Sequence, residues 1–235
     1  MSDLSLTAKA YNILKHEIVT CALEPGRPVS QDELARAYGL GTTPIREALQ
    51  RLAREGFAVA VPRFGYIVSP ITLTDVRELY ELRQPLELTA VRLAAVRASD
   101  ERLQQIQEAS RFTYVYQDRT SYMRFLESNT EFHRSIALAS DNHRLTEAVT
   151  HVLTELARIF HVGLDLRDSA NEMRDDHVAL ATALARRDTA EASRLVEEEI
   201  ARSQRRVVEA LSRQSGESVD ALGLAARLRQ RSTSR

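Results

Sequence analysis

Residues 31–57, QDELARAYGLGTTPIREALQRLAREGF, decide the fold of the N-terminal part of the chain. Ser30 and Glu33 have the spacing of a helix-capping box, and Gly39 is typical of a helix end. Thr43–Pro44 predicts the start of the next helix, with a threonine cap and proline at the first helical position. The stretch therefore indicates two helices joined by a tight turn.

The residues on either side complete the pattern. Upstream, Thr7 is placed to cap a helix that runs through Ile18. Downstream, residues 58–61 and 66–68 are β-prone runs that flank the turn Pro62–Gly65, which predicts a hairpin. Helix, helix, turn, helix and hairpin follow one another in the order of a winged helix-turn-helix.

The third predicted helix has two different faces. Its apolar residues recur at the spacing of a buried stripe: Ile45, Ala48, Leu49 and Leu52. Its polar residues could enter a DNA major groove, and the hairpin tip could approach the backbone. The candidate DNA-binding residues are Thr42, Thr43, Arg46, Gln50, Arg63 and Gly65. The same pattern also fits an ordinary solvent-exposed helix.

After Thr74 the sequence has long helical periodicity and a single proline, Pro85. Breaks near residues 99, 118, 141, 163–170 and 187 divide it into about six helices. We therefore expect a mainly α protein, with a winged helix-turn-helix followed by an all-α bundle. The predicted domains are residues 1–70, residues 71–212 and an Arg-rich, partly disordered tail, 213–235, in which 219–228 could form a short helix.

Composition narrows the class of protein. The 235 residues carry 32 Lys+Arg against 33 Asp+Glu, a net charge of −1, which at first argues against nucleic acid as a partner. A local basic patch is still compatible with DNA, because whole-chain charge hides local distribution. The single cysteine, Cys21, excludes a disulfide framework and is expected to be a small core residue. Without a secretory signal or an apolar span, a cytoplasmic location is expected.

The run 31–57 followed by VPRFGYIV at 61–68 resembles the winged helix of GntR-type bacterial transcription regulators. The resemblance implies that Thr43, Arg46 and the wing glycine Gly65 contact DNA. Members of the family usually have Ser-Arg-Thr before the proline, whereas this chain has Gly-Thr-Thr at 41–43. An arginine commonly used on DNA is therefore missing here, which puts the operator sequence in question more than DNA binding itself.

Residues 78–203 resemble the FCD ligand-sensing domain of the FadR subfamily, through LRQPLE at 82–87, EFH at 131–133 and ASDN at 139–142. In many members an Asp and three His residues bind a divalent metal. The matching positions here are Asn129, His133, His177 and Glu199. Imidazole and carboxylate ligands would suit Zn, Ni or Mn, whereas an amide is a weak ligand. The alternative is that both histidines are hydrogen-bonded core residues.

The resemblance also implies a small carboxylate effector, with Arg83, Asn129, His133 and His177 as its candidate binding residues. The Arg83 guanidinium suits a carboxylate, although an ion pair with a residue such as Glu87 would explain it equally well. We therefore expect an effector-responsive, homodimeric transcription regulator, specifically a repressor, that binds double-stranded DNA.

Two other functions compete with a regulator. A metal-dependent enzyme could use His133, His177 and Glu199 in the bundle, but it leaves the winged helix without a role. A purely structural dimerisation protein does not explain the Thr-Pro-Ile-Arg helix followed by a wing.

Overall fold

The structure is a computed structural model and describes residues 5–164 and 168–214. The described part contains a three-stranded sheet and nine helices. In chain order they are α1 (Leu6–Val19), β1 (Pro28–Val29), α2 (Gln31–Tyr38), α3 (Thr42–Arg54), β2 (Ala58–Val61), β3 (Gly65–Val68), α4 (Leu73–Arg97), α5 (Asp100–Glu108), α6 (Arg119–Ala139), α7 (His143–Leu164), α8 (Ala170–Ala185) and α9 (Thr189–Gln214).

The described residues form two compact units that meet in sequence between Ile71 and Thr72. The first unit holds α1–α3 and the sheet, and the second holds the helices α4–α9. A winged helix-turn-helix followed by an all-α bundle is thereby confirmed.

The first unit is built on the apolar stripe of α3. Ile45, Ala48, Leu49 and Leu52 are each at most 1% exposed and pack in one core with α1. The predicted hairpin forms, with β2 and β3 antiparallel. The sequence reading missed β1, which pairs with β3 and gives the strand order β1-β3-β2. A strand of two residues is too short to show alternation.

Two of the predicted helix starts are wrong. The cap of α1 is Ser5, whose side chain accepts a hydrogen bond from the Ala8 N–H; the Thr7 hydroxyl instead donates to Glu47 at 2.7 Å. Helix α3 begins at Thr42, and its N-cap is Gly41 without a side-chain hydrogen bond. Thr43–Pro44 therefore lies inside the first turn, where proline is still tolerated because those N–H groups have no intrahelical acceptor.

Helix α2 begins and ends near the predicted residues. The Ser30 hydroxyl accepts from the Glu33 N–H at 3.1 Å, but the Glu33 carboxylate pairs with Arg27 at 2.7 Å, so the reciprocal half of the capping box is missing. Gly39 ends the helix in the left-handed region, with φ of 63°. Glycine adopts that conformation without a steric penalty.

The second unit confirms the predicted breaks. Side chains of Thr72, Ser99, Asp118, Asn142 and Asp188 accept hydrogen bonds from backbone N–H groups at the starts of α4, α5, α6, α7 and α9. Helix α4 packs against α6, α7 and α9, so the residues on its inner face reach the middle of the bundle.

The position of Cys21 differs from the one expected from the sequence. Cys21 lies just after α1 at φ 56° and is half-buried, so it is not a core residue of a helix. The expected tail and short helix beyond Gln214 lie outside the described residues. Among the helices of the described ranges, none is long and apolar enough to cross a membrane.

Candidate functional site

The outer face of α3 presents polar side chains to solvent. Thr42, Thr43, Arg46 and Gln50 are all exposed, and together they are called the reading face below. Because the N-cap Gly41 makes no side-chain hydrogen bond, the first N–H groups of α3 are not capped by a side chain. Uncapped N–H groups at a helix start favour an anion such as a DNA phosphate.

Acidic residues of α3 are turned toward α1. Glu47 accepts the Thr7 hydroxyl, and Glu55 binds Tyr11 at 2.6 Å and Lys15 at 3.0 Å. Within the described ranges, Arg46 has no hydrogen bond or ion pair. Its guanidinium is therefore available to a ligand from solution.

The tip of the wing is held in a special backbone conformation. Arg63 has φ of 67° and Gly65 has φ of 101°. A Cβ at Gly65 would lie 3.0 Å from the carbonyl oxygen of Val29, and a φ of 101° is one that other residues rarely adopt, so both observations favour glycine here. Phe64, which sequence reasoning missed, is 56% exposed at this tip. An aromatic residue in the short turn between β2 and β3 is a sequence signal that could have identified Phe64.

The second unit holds a cluster of buried ionisable side chains, called the buried polar centre: Arg83, Glu87, His133, His177 and Glu199. Glu87 accepts hydrogen bonds from Arg83 and from His133 Nδ1, the latter at 2.7 Å. Glu199 Oε1 lies 3.1 Å from His133 Nε2, 3.5 Å from His177 Nε2 and 3.6 Å from Arg83 Nη2. Four of these five side chains were singled out from sequence.

Five residues on four helices form this arrangement. Arg83 and Glu87 are one turn apart on α4, His133 comes from α6, His177 from α8 and Glu199 from α9. Arg83 thus forms the ion pair with Glu87 that the sequence left open, while remaining within reach of Glu199. From the sequence, Glu87 was named only as a possible ion-pair partner of Arg83. Its hydrogen bond to His133 could not be predicted, because the two residues lie on helices that are far apart in the chain.

The charges of the centre balance when one of its two histidines is protonated. Burial opposes protonation of His133, but Glu87 and Glu199 outweigh it and raise its pKa to about 9. Burial lowers the pKa of His177. Burial would raise the pKa of Glu199, yet the two histidines hold it well below its usual range. With His133 protonated and His177 neutral, two cations face two carboxylates and the centre is neutral.

Several ligand atoms in the centre make no hydrogen bond. His133 Nε2, His177 Nδ1 and Glu199 Oε2 are buried without a hydrogen bond. One ligand atom each of His133, His177 and Glu199 lies within 4.8 Å of the others, so this triad could hold a metal ion. Glu87 would orient His133 through Nδ1 and leave Nε2 for the ion, an arrangement common at metal sites.

Asn129 lies one turn before His133 on α6 and is 4% exposed, so it shares the inner face of that helix.

Phe112 belongs to the surroundings of the site and was missed by sequence reasoning. Its ring centroid lies 4.6 Å from that of His177, and Phe132 lies 5.0 Å from the same imidazole. The two rings pack against His177, which is 1% exposed.

Comparison with known proteins identifies the class. Residues 6–68 match the model for bacterial regulatory proteins of the gntR family, and residues 78–202 match the FCD domain. The HTH-type transcriptional regulator YdhC of Bacillus subtilis (strain 168) is 32% identical over 67% of this chain and 71% of its own length. The HTH-type transcriptional repressor RspR of Escherichia coli (strain K12) is 25% identical over 76% of this chain and 78% of its own length.

The structure of E. coli McbR/YncC has the same fold, with a TM-score of 0.71, 23% identity, and coverage of 88% of this chain and 99% of that one. A winged helix joined to an FCD domain defines a DNA-binding transcription regulator. The chain belongs to the GntR family, in the FadR-like subfamily whose C-terminal domain is an FCD domain. Its members are regulators and not enzymes, which decides against the metal-enzyme alternative.

The raised pKa of His133 predicts how stability depends on pH in protein treated with a chelator. A pKa raised from 6.5 to about 9 stabilises the fold fully below pH 6.5, and this stabilisation is lost as pH rises through 9. The full contribution is about 3 kcal/mol. Urea unfolding at pH 6 and at pH 10 measures the free energy of unfolding. Between these two pH values, that free energy should fall by more in the wild type than in His133→Gln. His151→Gln, at a 67% exposed side chain, is the matched control. Equal pH dependence in all three proteins would contradict the assignment.

Proposed function

We propose that the chain is a dimeric repressor, in which residues 1–70 read the operator and residues 71–212 bind a small carboxylate effector. The observation that carries DNA reading is the reading face itself, where hydroxyls and an unpaired guanidinium surround an uncapped helix start. The 25% identity to the repressor RspR supports the direction of regulation.

On DNA, α3 would lie in the major groove. Arg46 can donate two hydrogen bonds to guanine O6 and N7, and Gln50, one turn further, can reach an adjacent base. Thr42 and Thr43 are placed to bind phosphate at the helix start. At the wing, Arg63, Phe64 and Gly65 would meet the backbone or the minor groove.

In the sensor domain, His133, His177 and Glu199 would hold a divalent ion of the Zn, Ni or Mn type, with Asn129 beside them. His133 Nε2 and Glu199 Oε2 are buried without a hydrogen bond, which supports this donor set. A bound ion would supply an open coordination position for a carboxylate. Replacing the His133 proton by a divalent cation changes the centre from neutral to a net charge of +1, which a carboxylate group would neutralise. Arg83 remains the candidate that orients Glu199 and the effector.

The outer side of α4 supports a homodimer. Leu82, Thr89 and Val96 are exposed and follow one another at steps of seven residues along one line of α4, a spacing found in helix-pairing seams. Leu86 and Leu93 lie beside this line and are partly buried against the core of their own bundle. Leu82 is 49% exposed and Val96 is 73% exposed. We propose that this seam pairs with the same seam of a second copy, since a two-fold dimer fits a pseudo-palindromic operator. Effector binding would then bias the relative placement of the two winged helices.

The first prediction concerns Arg46. Arg46→Ala should weaken binding to an operator selected from randomised duplexes by about 1–3 kcal/mol, because a bidentate guanine contact is lost. Arg46→Lys should restore phosphate attraction but not base discrimination. Arg134→Ala, which removes an exposed arginine paired with Glu131 in the second unit, is the control. Fluorescence anisotropy at fixed salt measures all four proteins, and wild-type affinity in Arg46→Ala would refute this contact.

The second prediction concerns the metal. Protein purified without chelator should contain about one divalent ion per chain, and His133→Ala should lose it because one of three buried ligands is removed. His151→Ala removes an exposed histidine paired with Glu155 and should keep the ion. Mass spectrometry of the elements provides the count. Metal-free wild-type protein that also fails to bind added Zn, Ni or Mn would show that both histidines are core residues.

The third prediction concerns the seam. The double variant Leu82→Glu, Val96→Glu should shift the dimer to a monomer, because two buried carboxylates would face their own copies across the interface. Leu138→Glu places the same charge at a 39% exposed leucine of α6 and should stay dimeric. Analytical ultracentrifugation distinguishes the two states. A double variant as dimeric as the wild type would place the interface elsewhere.

A further inference from the structure

The turn between β2 and β3 places an aromatic ring in solvent. Pro62, Arg63 and Phe64 connect the two strands, and Phe64 is 56% exposed. Among residues 5–164 and 168–214, no other aromatic ring and no cation packs on the ring of Phe64. A single exposed phenylalanine is common on protein surfaces. What distinguishes Phe64 is the well-anchored backbone beneath it and the cation beside it.

The backbone at Phe64 is anchored on the sheet. The Phe64 N–H donates to the Val61 carbonyl oxygen at 3.1 Å, and this hydrogen bond closes the turn. The next residue, Gly65, already pairs with Val61 in the ladder between β2 and β3. Strand β3 is paired on both sides, with β1 and with β2, and its residues 66–68 are buried. The ring is therefore attached one residue away from a strand that is fixed in the core of the first unit.

Arg63 brings a positive charge to the same turn. It occupies the third position of the turn with φ of 67°, where glycine or asparagine is usual because a Cβ is disfavoured in the left-handed region. Within the described ranges, the exposed Arg63 side chain has no hydrogen bond or ion pair. An unpaired cation next to an exposed ring suits a partner that combines negative charge with flat apolar surfaces. Duplex DNA offers both, in its phosphates and in the faces of its stacked base pairs.

The minor groove is the part of the duplex that suits this turn. The wide major groove is taken by a helix such as α3, which leaves the neighbouring minor groove for the narrow tip of the wing. The negative potential of a narrow minor groove attracts arginine side chains. Apolar side chains that enter this groove insert between neighbouring base pairs and kink the duplex by about 20–90°, and phenylalanine is one of the residues that do so.

We propose that Phe64 inserts from the minor groove between two neighbouring base pairs and kinks the operator, with Arg63 in the groove beside it. The inference rests on the proposed function, because it requires the wing to lie on the operator. Pyrimidine–purine steps unstack most easily, so the operator should carry such a step under each wing. The chain would then select this step by its deformability, without a hydrogen bond to a base edge.

Energy transfer between dyes at the two ends of a selected operator measures the kink. The full-length wild type should bend the duplex by about 20° or more, and Phe64→Ala should lose most of this bend, because no large apolar side chain then enters the stack. Phe64→Leu should keep part of the bend, since leucine also acts as a wedge. Val59→Ala shortens an apolar side chain of β2 that is 41% exposed. It is the matched control and should bend the operator as the wild type does.

A change of the base step distinguishes a wedge from a simple contact in the groove. Permanganate oxidation of unstacked thymines locates the step under the wing in the wild-type complex. Replacing this pyrimidine–purine step by a purine–purine step should raise the operator Kd of the wild type about 5-fold or more. The same replacement should change the Kd of Phe64→Ala by less than about two-fold, because that variant does not unstack the step.

Three results would overturn the inference: a straight duplex in the wild-type complex, a Phe64→Ala complex as bent as the wild type, or an equal loss of affinity in both proteins when the base step is changed. The second result is also the one expected if Phe64 is a contact for another protein instead of DNA. A wild type that binds its selected operator without a kink fails this inference alone. A wild type that binds no duplex fails the proposed function as well.

Discussion

The second unit depends on one constraint: five ionisable side chains are buried together and must balance one another. Arg83, Glu87, His133, His177 and Glu199 are each at most 5% exposed. Removing a charge from water costs several kcal/mol unless a partner of opposite charge is close. Four helices must therefore converge within hydrogen-bond distance of Glu87 and Glu199. The group is neutral only when its positive charges equal in number its two carboxylates. Any ligand that changes the charge of the group therefore also changes the forces between those helices.

The first unit differs, since its proposed function depends on charge that is left unpaired. The apolar stripe of α3 is buried, and its acidic residues are held against α1 by Thr7, Tyr11 and Lys15. Arg46 and Arg54 are then exposed cations of this helix that have no ion pair in the described part of the chain. The overall net charge of −1 is thus compatible with DNA reading, which depends on local geometry.

Periodicity and capping residues were enough to predict the order of the helices, the buried stripe and the breaks in the bundle. They were not enough for β1, which is too short to alternate, or for the start of α3, where Gly41 replaces the expected threonine cap. The histidines and Glu199 could be aligned only through the family resemblance. The link between Glu87 and His133 depends on how separate helices pack, which local sequence does not encode.

The central claim is that the buried polar centre controls DNA reading, and operator affinity under changing ligand conditions tests it most directly. Fluorescence anisotropy at constant ionic strength would compare three samples: chelator-treated protein, protein with one equivalent of a divalent ion, and that same protein with a saturating small carboxylate. The account predicts that the operator Kd rises at least 10-fold when ion and acid are both present, and that Glu199→Gln abolishes the change. An operator Kd that stays within two-fold under all three conditions would contradict it.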